Sequence, residues 1–364
     1  MHATSVAARL ELREAEGAFA VLESWLDEHG FFRPGGEELV ADVFLGYGLS
    51  ESIRRLPAPP PPEPCPRLPL LAAALRAAPF ERGSEATSRY EAPPPGQWEA
   101  TWRAEEYAAA IEQVRVAIAR GDVYQVNLVQ HLSAPFVGDP AAVVDAFARF
   151  EPLAPGPFVA DGWAVVSGSP ELFLSKRGRR IRTMPIKGTR PAGRAGELAS
   201  SAKDAAEHVM IVDLERNDLA RVCESGSIRW PELMAARPLA GVEHMVSTVE
   251  GRLRDGVGLA ELLEATFPGG SVTGAPKIAA VDLIAALEPV GRGASMGALG
   301  RVYGNGDLEL ALTIRTFAIA DERIHLWVGG GVVWDSDPAA EVAESWTKAR
   351  PLLDALARGP RGAG

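Results

Sequence analysis

The sequence predicts an α+β fold with mixed or antiparallel sheets, and three observations predict it. Strand candidates follow one another without an intervening helix, at 163–167 and 171–175, and again at 296–303, 309–318 and 324–334. A doubly wound sheet would instead alternate strand and helix. Helical patterns stand apart from these strand runs, at 139–150, 200–215, 259–265, 277–287 and 338–357. The chain has 364 residues, 47% hydrophobic and 23% charged, which is enough to bury a substantial core.

From the N-terminus, residues 7–29 read as a helix through Leu10, Ala18, Val21, Leu22 and Leu26. Residues 31–56 carry no clear period. A proline cluster from Pro57 to Pro69 follows; proline lacks the N–H donor and restricts its predecessor, so this is an extended linker or surface strap. A second loose segment, Pro93-Pro94-Pro95-Gly96, places a boundary near residue 95, between a short N-terminal region (1–95) and a main domain (96–364). A helix over about 104–120, ended by Gly121, leads into the strand-like run 123–129. Residues 245–250 are a further strand candidate. No fixed-period repeat is present.

Composition excludes several classes. The net charge is -11 and no Lys/Arg-rich run stands out, so nucleic acid is not an expected partner. Cys65 and Cys223 form no CxxC pair and have no His at metal-ligand spacing, which suits two thiols in a reducing cytoplasm. The N-terminus lacks a basic region followed by an apolar run, and no stretch approaches about 18 uninterrupted apolar residues, so neither secretion nor a membrane span is expected.

Four constellations can carry chemistry. Asp337-Pro338 is a helix start; Glu341, Glu344 and Lys348 then share one face, readable as a solvated ion pair. The preceding strand Val328-Gly329-Gly330-Gly331-Val332-Val333 changes that reading. Glycines in an apolar strand mark close backbone approach, and amides beside paired carboxylates suit an anion with a hard cation. Phe267–Lys277 (FPGGSVTGAPK) is a glycine-rich turn feeding a helix, either a tight turn only or an anion site; its glycine spacing is not that of a P-loop. Met184–Pro191 reads as a rigid loop holding Lys187. That lysine reads either as a surface charge or, lying between an apolar residue and a glycine, as a desolvated amine freed as a nucleophile. In the helix after Ala202, Glu207 lies among Ala206, Val209, Met210 and Asp213, as a helix-edge charge or a metal ligand.

Taken in order, eight motifs resemble the chorismate-utilising enzyme family. They are Ser169-Pro170-Glu171-Leu172-Phe173, PIKGTRP (185–191), AKDAAEHVMIVDLERND (202–218), Val242–Ser247, FPGGSVTGAPK (267–277), Leu312–Thr316, GGG (329–331) and AEVAES (340–345). The resemblance covers about residues 100–357 and implies a sandwich-like core of antiparallel sheets flanked by helices. It implies Glu207 and Glu344 as Mg2+ ligands, with Glu341 nearby. It implies Arg315, Lys348 and the amides near Gly329 and Gly331 as carboxylate-binding positions. Glu171 matches the general acid for the departing C4 hydroxyl, His244 an active-site histidine, and Thr273 a residue of the anion-binding turn.

Two positions indicate the branch. Gln125 stands where water-using relatives carry a lysine, so ammonia is the expected nucleophile. Lys187 stands where the anthranilate branch carries alanine, which implies the aminodeoxychorismate branch, with lysine attacking C2 of chorismate. That reading brings a separate glutamine amidotransferase subunit as ammonia source. Amination at C2, or a non-catalytic chorismate-binding subunit, are the alternatives. Ser295 and Arg301 replace aromatics often found in the anthranilate branch. The N-terminal region is shorter than in many relatives, and Leu22-Glu23-Ser24 is only a fragment of their tryptophan-site motif.

Overall fold

The computed structural model describes residues 6–76, 89–191, 193–199, 202–239 and 242–359. The extreme N-terminal residues read above, and the expected helix start at 200, lie outside these.

Two large antiparallel sheets and one two-stranded pair, Tyr90–Glu91 with Val137–Gly138, build the described residues. The larger has ten strands. Its order runs Val6–Leu12, Leu71–Arg76, Val40–Leu45, Ala298–Tyr303, Leu308–Leu312, Leu172–Arg177, Arg180–Met184, Val242–Arg252 and Ile186–Pro191, and Arg229–Leu239 also pairs with Val242–Arg252. The second has seven, centred on Gln125–Pro135 paired with Arg323–Val332. The α+β class is as expected. The sheet crosses the boundary expected near residue 95, because Val40–Leu45 pairs with Ala298–Tyr303.

Period-2 alternation places the core. Phe317 and Ile319 enter a cluster covered by the helix Pro338–Arg358, where Leu352 and Leu356 meet them, while Ala318 and Ala320 face the larger cluster. That larger cluster joins residues of both sheets, such as Val126 and Trp327 with Leu299 and Leu310, and continues to Leu22 and Leu262 on the helices Ala18–Glu28 and Leu259–Thr266. The proline cluster is a strap without helix or strand, tied down where Gly291 N donates to Pro62 O and Gly293 N to Glu63.

Several expectations are corrected. Residues 7–29 are not one helix: Val6–Leu12 is a strand and the helix is Ala18–Glu28. Residues 309–318 are two strands, because Arg315 takes φ 51 between them. The Met184–Pro191 loop is largely the strand Ile186–Pro191, with an irregularity between Lys187 and Thr189 where Gly188 takes φ 64. The strands Arg180–Met184 and Arg229–Leu239 were not foreseen. No helix among the described residues is long and apolar enough to cross a membrane.

Candidate active site

Three glycines set the geometry. Gly329, Gly330 and Gly331 pair with Val129, Leu128 and Asn127 in the centre of the seven-stranded sheet. A Cβ on Gly331 would lie 1.9 Å from Gln125 Nε2 and 2.8 Å from Glu207 Oε1, and one on Gly330 would lie 3.1 Å from Lys348 Nζ. Bare backbone lets these side chains converge where any Cβ would displace them.

Around Gly331, Gln125 Nε2 donates to Glu207 Oε1 at 2.9 Å. Gln125 Oε1 is buried and has no hydrogen-bond partner in the structure. Lys187 Nζ lies 3.3 Å from the same Glu207 oxygen and donates to Ser271 O at 3.1 Å. Thus the strand Ile186–Pro191, the helix Ala202–Ala220 and the glycine-rich turn meet at one amine.

Behind the lysine, Ser271 Oγ donates to Glu171 Oε1 at 2.6 Å. Burial raises the Glu171 carboxyl above its usual range, against the opposing pull of Ser271, Lys187 and Arg315. A buried carboxyl whose pKa is raised is suited to the role of a general acid. Arg315 Nη2 lies 3.3 Å from His244 Nε2, and His244 Nδ1 lies 3.0 Å from Gly188 O. A carbonyl only accepts, so Nδ1 carries the proton and Nε2 accepts from the guanidinium. Burial holds the imidazole pKa down, consistent with the neutral ring.

On the far side of the glycines, Lys348 Nζ lies 2.8 Å from Glu344 Oε1 and donates to Gly329 O at 2.8 Å. Glu341 is buried and accepts from Ser336 Oγ at 2.7 Å. Its partner oxygen lies 3.5 Å from where a Gly330 Cβ would stand, and Glu344 Oε1 lies 3.6 Å from it.

The structure thus brings eleven of the twelve expected residues along one continuous line, from His244 and Arg315 through Lys187 to Lys348. Thr273 is the exception. It is fully buried, and its hydroxyl donates to Gly269 O at 3.0 Å, closing the turn. Lys277 likewise closes this segment, with Nζ 2.6 Å from Asp218 Oδ2 and donating to Thr266 O and Pro268 O. Ser271, beside Thr273, was missed; its place in the glycine-rich turn was the only signal. The turn is fixed from below by Arg292, which donates to Val272 O at 2.8 Å and Asn127 O at 2.6 Å while paired with Glu288. The Leu22-Glu23-Ser24 fragment has a structural task, since Glu23 accepts from the N–H groups of Leu259 and Ala260 and caps that helix.

The donor set fits a hard divalent cation only with help. Among the described residues no three His, Cys, Asp or Glu groups are close enough to hold a metal. Glu207 Oε1 lies 2.8 Å from where a Gly331 Cβ would stand and Glu344 Oε1 3.6 Å from a Gly330 Cβ, so an ion held by either would have to complete its shell with water and substrate oxygens, as Mg2+ prefers.

Residues 67–354 match the chorismate binding enzyme family. The chain is 42% identical over 271 residues to an aminodeoxychorismate synthase component 1 of Klebsiella aerogenes, covering 71% of this chain and 59% of that protein. It is 36% identical over 340 residues to an anthranilate synthase component 1 of Streptomyces coelicolor, covering 90% of this chain and 62% of the relative. It thus spans about three fifths of the length of these relatives. The fold matches anthranilate synthase component I from Streptococcus pneumoniae TIGR4 with TM-score 0.82 at 24% identity, over 96% of this chain and 90% of that one. It also matches the menaquinone-specific isochorismate synthase of Escherichia coli, with TM-score 0.73 at 18% identity, over 97% and 84%. The chain belongs to the chorismate binding enzyme family.

Proposed function

We propose that the chain aminates chorismate at C4, giving 4-amino-4-deoxychorismate, the precursor of para-aminobenzoate. One observation carries the reading: the amine of Lys187 sits between Glu207 and the Ser271 carbonyl, and the hydroxyl of that same serine donates to Glu171. Lysine and carboxyl are thus joined through a single residue, Ser271, by its carbonyl and its hydroxyl.

Lys187 Nζ adds to C2 of chorismate; both conjugated ring double bonds shift and the C4 hydroxyl leaves as water with the proton of Glu171. Ammonia then adds at C4, the double bonds shift back as the C2–N bond breaks and Lys187 leaves as the neutral amine, and the new C4 ammonium returns a proton to Glu171. Splitting one substitution into two allylic steps lowers each barrier. Arg315 and Lys348 stand ready for the two substrate carboxylates, Arg315 with its planar fork. The site would take Mg2+ on Glu207 and Glu344, with Glu341 close by, and the ion when bound would neutralise the ring carboxylate. Ammonia would come from a separate glutamine amidotransferase subunit. Both cysteines of this chain are buried, with thiols pushed up to about 12 and about 11 by burial, which suits no glutaminase nucleophile here.

A second reading is supported by the similarity to the Streptomyces anthranilate synthase component, which extends over 90% of this chain. It places the amine at C2. Chorismate, Mg2+ and ammonium, supplied to the purified chain, test both: 4-amino-4-deoxychorismate supports the first, and 2-amino-2-deoxyisochorismate or anthranilate the second.

A further inference from the structure

The larger sheet carries a second concave site, at the end remote from the reacting groups. Arg179, Arg180, Arg229 and Arg252 line a pocket of about 500 Å³, with Ser227 and a single carboxylate, Glu250. These arginines come from three separate segments of a chain whose net charge is -11, so no basic run announces them. Folding gathers them. Arg180 stands directly opposite Arg252 in the pairing of Arg180–Met184 with Val242–Arg252, and Arg229, on the strand Arg229–Leu239, stands opposite Glu250. Directly opposite residues share a face of a sheet, and so do residues two apart on one strand. Arg180, Arg252, Glu250 and Arg229 therefore project from one side of three adjacent strands. Ser227 Oγ accepts from Arg252 N at 3.2 Å and closes the wall.

Two features separate this pocket from an ordinary solvated surface. Like charges directly opposite each other destabilise an antiparallel pair, so the Arg180–Arg252 juxtaposition works against the fold. A local rule broken in this way marks a functional position. The positive charge is also incompletely matched. Arg180 is engaged by one oxygen of Glu250, and Arg179 by Glu224 and Asp255. Arg252 reaches Glu224 only at 3.5 Å. Among the described residues, no hydrogen bond or ion pair engages the guanidinium of Arg229.

We propose that this pocket binds a small polyvalent oxyanion, a molecule carrying phosphate or carboxylate groups at two ends. Guanidinium groups present paired N–H donors that match the oxygens of either group. Arg229 and Arg252 form a diagonal pair on neighbouring strands, a spacing of roughly 7–8 Å, so one ligand with two charged ends meets both. The volume lies within the range of small-ligand pockets, about 300–1,000 Å³, and the concave shape suits such a ligand better than a flat protein surface. The site is distinct from the catalytic one. His244 and Arg252 lie on the same strand, roughly 25 Å apart at about 3.3 Å per residue. The inference therefore holds whichever carbon of the substrate is aminated.

Isothermal titration calorimetry of the full chain, without Mg2+ and at low ionic strength, tests this with pyrophosphate and citrate as probes. At least one probe should bind with one-to-one stoichiometry, and the tighter of the two identifies phosphate or carboxylate as the preferred group. Arg229→Gln/Arg252→Gln should weaken that binding by roughly tenfold or more. Arg33→Gln, which removes a charge elsewhere on the surface, and Arg315→Gln, in the catalytic site, should each change it by less than about twofold. Phenylglyoxal labelling of the wild type, read by peptide mass spectrometry, reports the contact without a variant. Probe at several times its Kd should slow modification of Arg229 and Arg252 by about threefold or more and leave Arg33 unaffected. Four results overturn the proposal: no binding of either probe, equal weakening by Arg33→Gln, binding lost in Arg315→Gln but kept in the double variant, or binding that leaves Arg229 and Arg252 unprotected. Binding of polyglutamate with neither small anion also overturns it, and would make this face a contact for an acidic protein.

Discussion

Replacing Gly331 with alanine tests whether the converging groups form the working site. The new Cβ would stand 1.9 Å from Gln125 Nε2 and 2.8 Å from Glu207 Oε1. Ordinary contact begins at 3.4 Å, so Gln125 must retreat by roughly 1.5 Å, and its 2.9 Å bond to Glu207 breaks. A hydrogen bond to a charged group contributes about 1.5–3 kcal/mol, and overpacking costs about 1–3 kcal/mol. A misplacement of about 1 Å at a reacting centre can cost about 10²-fold in rate. The expected result is a fall in kcat/KM for chorismate of about 10²-fold, with a thermal midpoint lowered by several degrees. Gly196→Ala, where an added Cβ meets nothing within 4 Å, is the control and should change neither. Wild-type kcat/KM in Gly331→Ala would refute the assignment of this face of the sheet to substrate.

Two further predictions concern charge. Glu344 has a half-exposed side chain, so Glu344→Gln should leave the circular dichroism unchanged while raising the Mg2+ concentration for half-maximal activity by about tenfold or more; an unchanged Mg2+ titration would remove it from the ligand set. The buried imidazoles of His131 and His325, 3.0 Å apart, have pKa values pushed down to about 3 and about 4 by burial, against 6.5 in an open chain. Depressed folded values mean that their contribution is present above pH 6.5 and is lost as pH falls through the folded values. Each should withdraw about 1.4 kcal/mol per pH unit below 6.5. Denaturant titrations of a His131→Asn/His325→Gln double variant should show a shallower acid slope than wild type, and an equal slope would contradict the neutral buried pair.

Where a segment's period matched its element, the sequence was sufficient. The helices Ala104–Ala119, Leu259–Thr266, Lys277–Leu287 and Pro338–Arg358 lie where capping and apolar spacing put them. The N-terminal segment misled because Leu10 fits a helical stripe that starts at Ala18, while Val6, Ala8, Leu10 and Leu12 alternate as a strand whose partner, Leu71–Arg76, is about 60 residues away. Pro185 and Gly188 made the lysine segment read as a loop. Its pairing with Val242–Val246 comes from across the chain, and one glycine at positive φ absorbs the irregularity. In the site, residue types were legible through the family motifs, but pairings were not. That Lys187 and Gln125 share one Glu207 oxygen, that Ser271 links Lys187 to Glu171, and that Thr273 turns back onto its own carbonyls follow from three-dimensional closure of the glycine-rich turn, which no local spacing encodes.

The central claim is that Lys187 acts as a nucleophile rather than as a fixed positive charge, and the rate of 4-amino-4-deoxychorismate formation by Lys187→Arg at saturating ammonium tests it most directly. Guanidinium keeps the charge beside Glu207 but stays protonated and cannot attack C2. The account predicts a loss of roughly 10⁴-fold or more, comparable to Lys187→Ala, because removing a nucleophile leaves only binding and electrostatic stabilisation. Formation of that product by the arginine variant at a near-normal rate would contradict it.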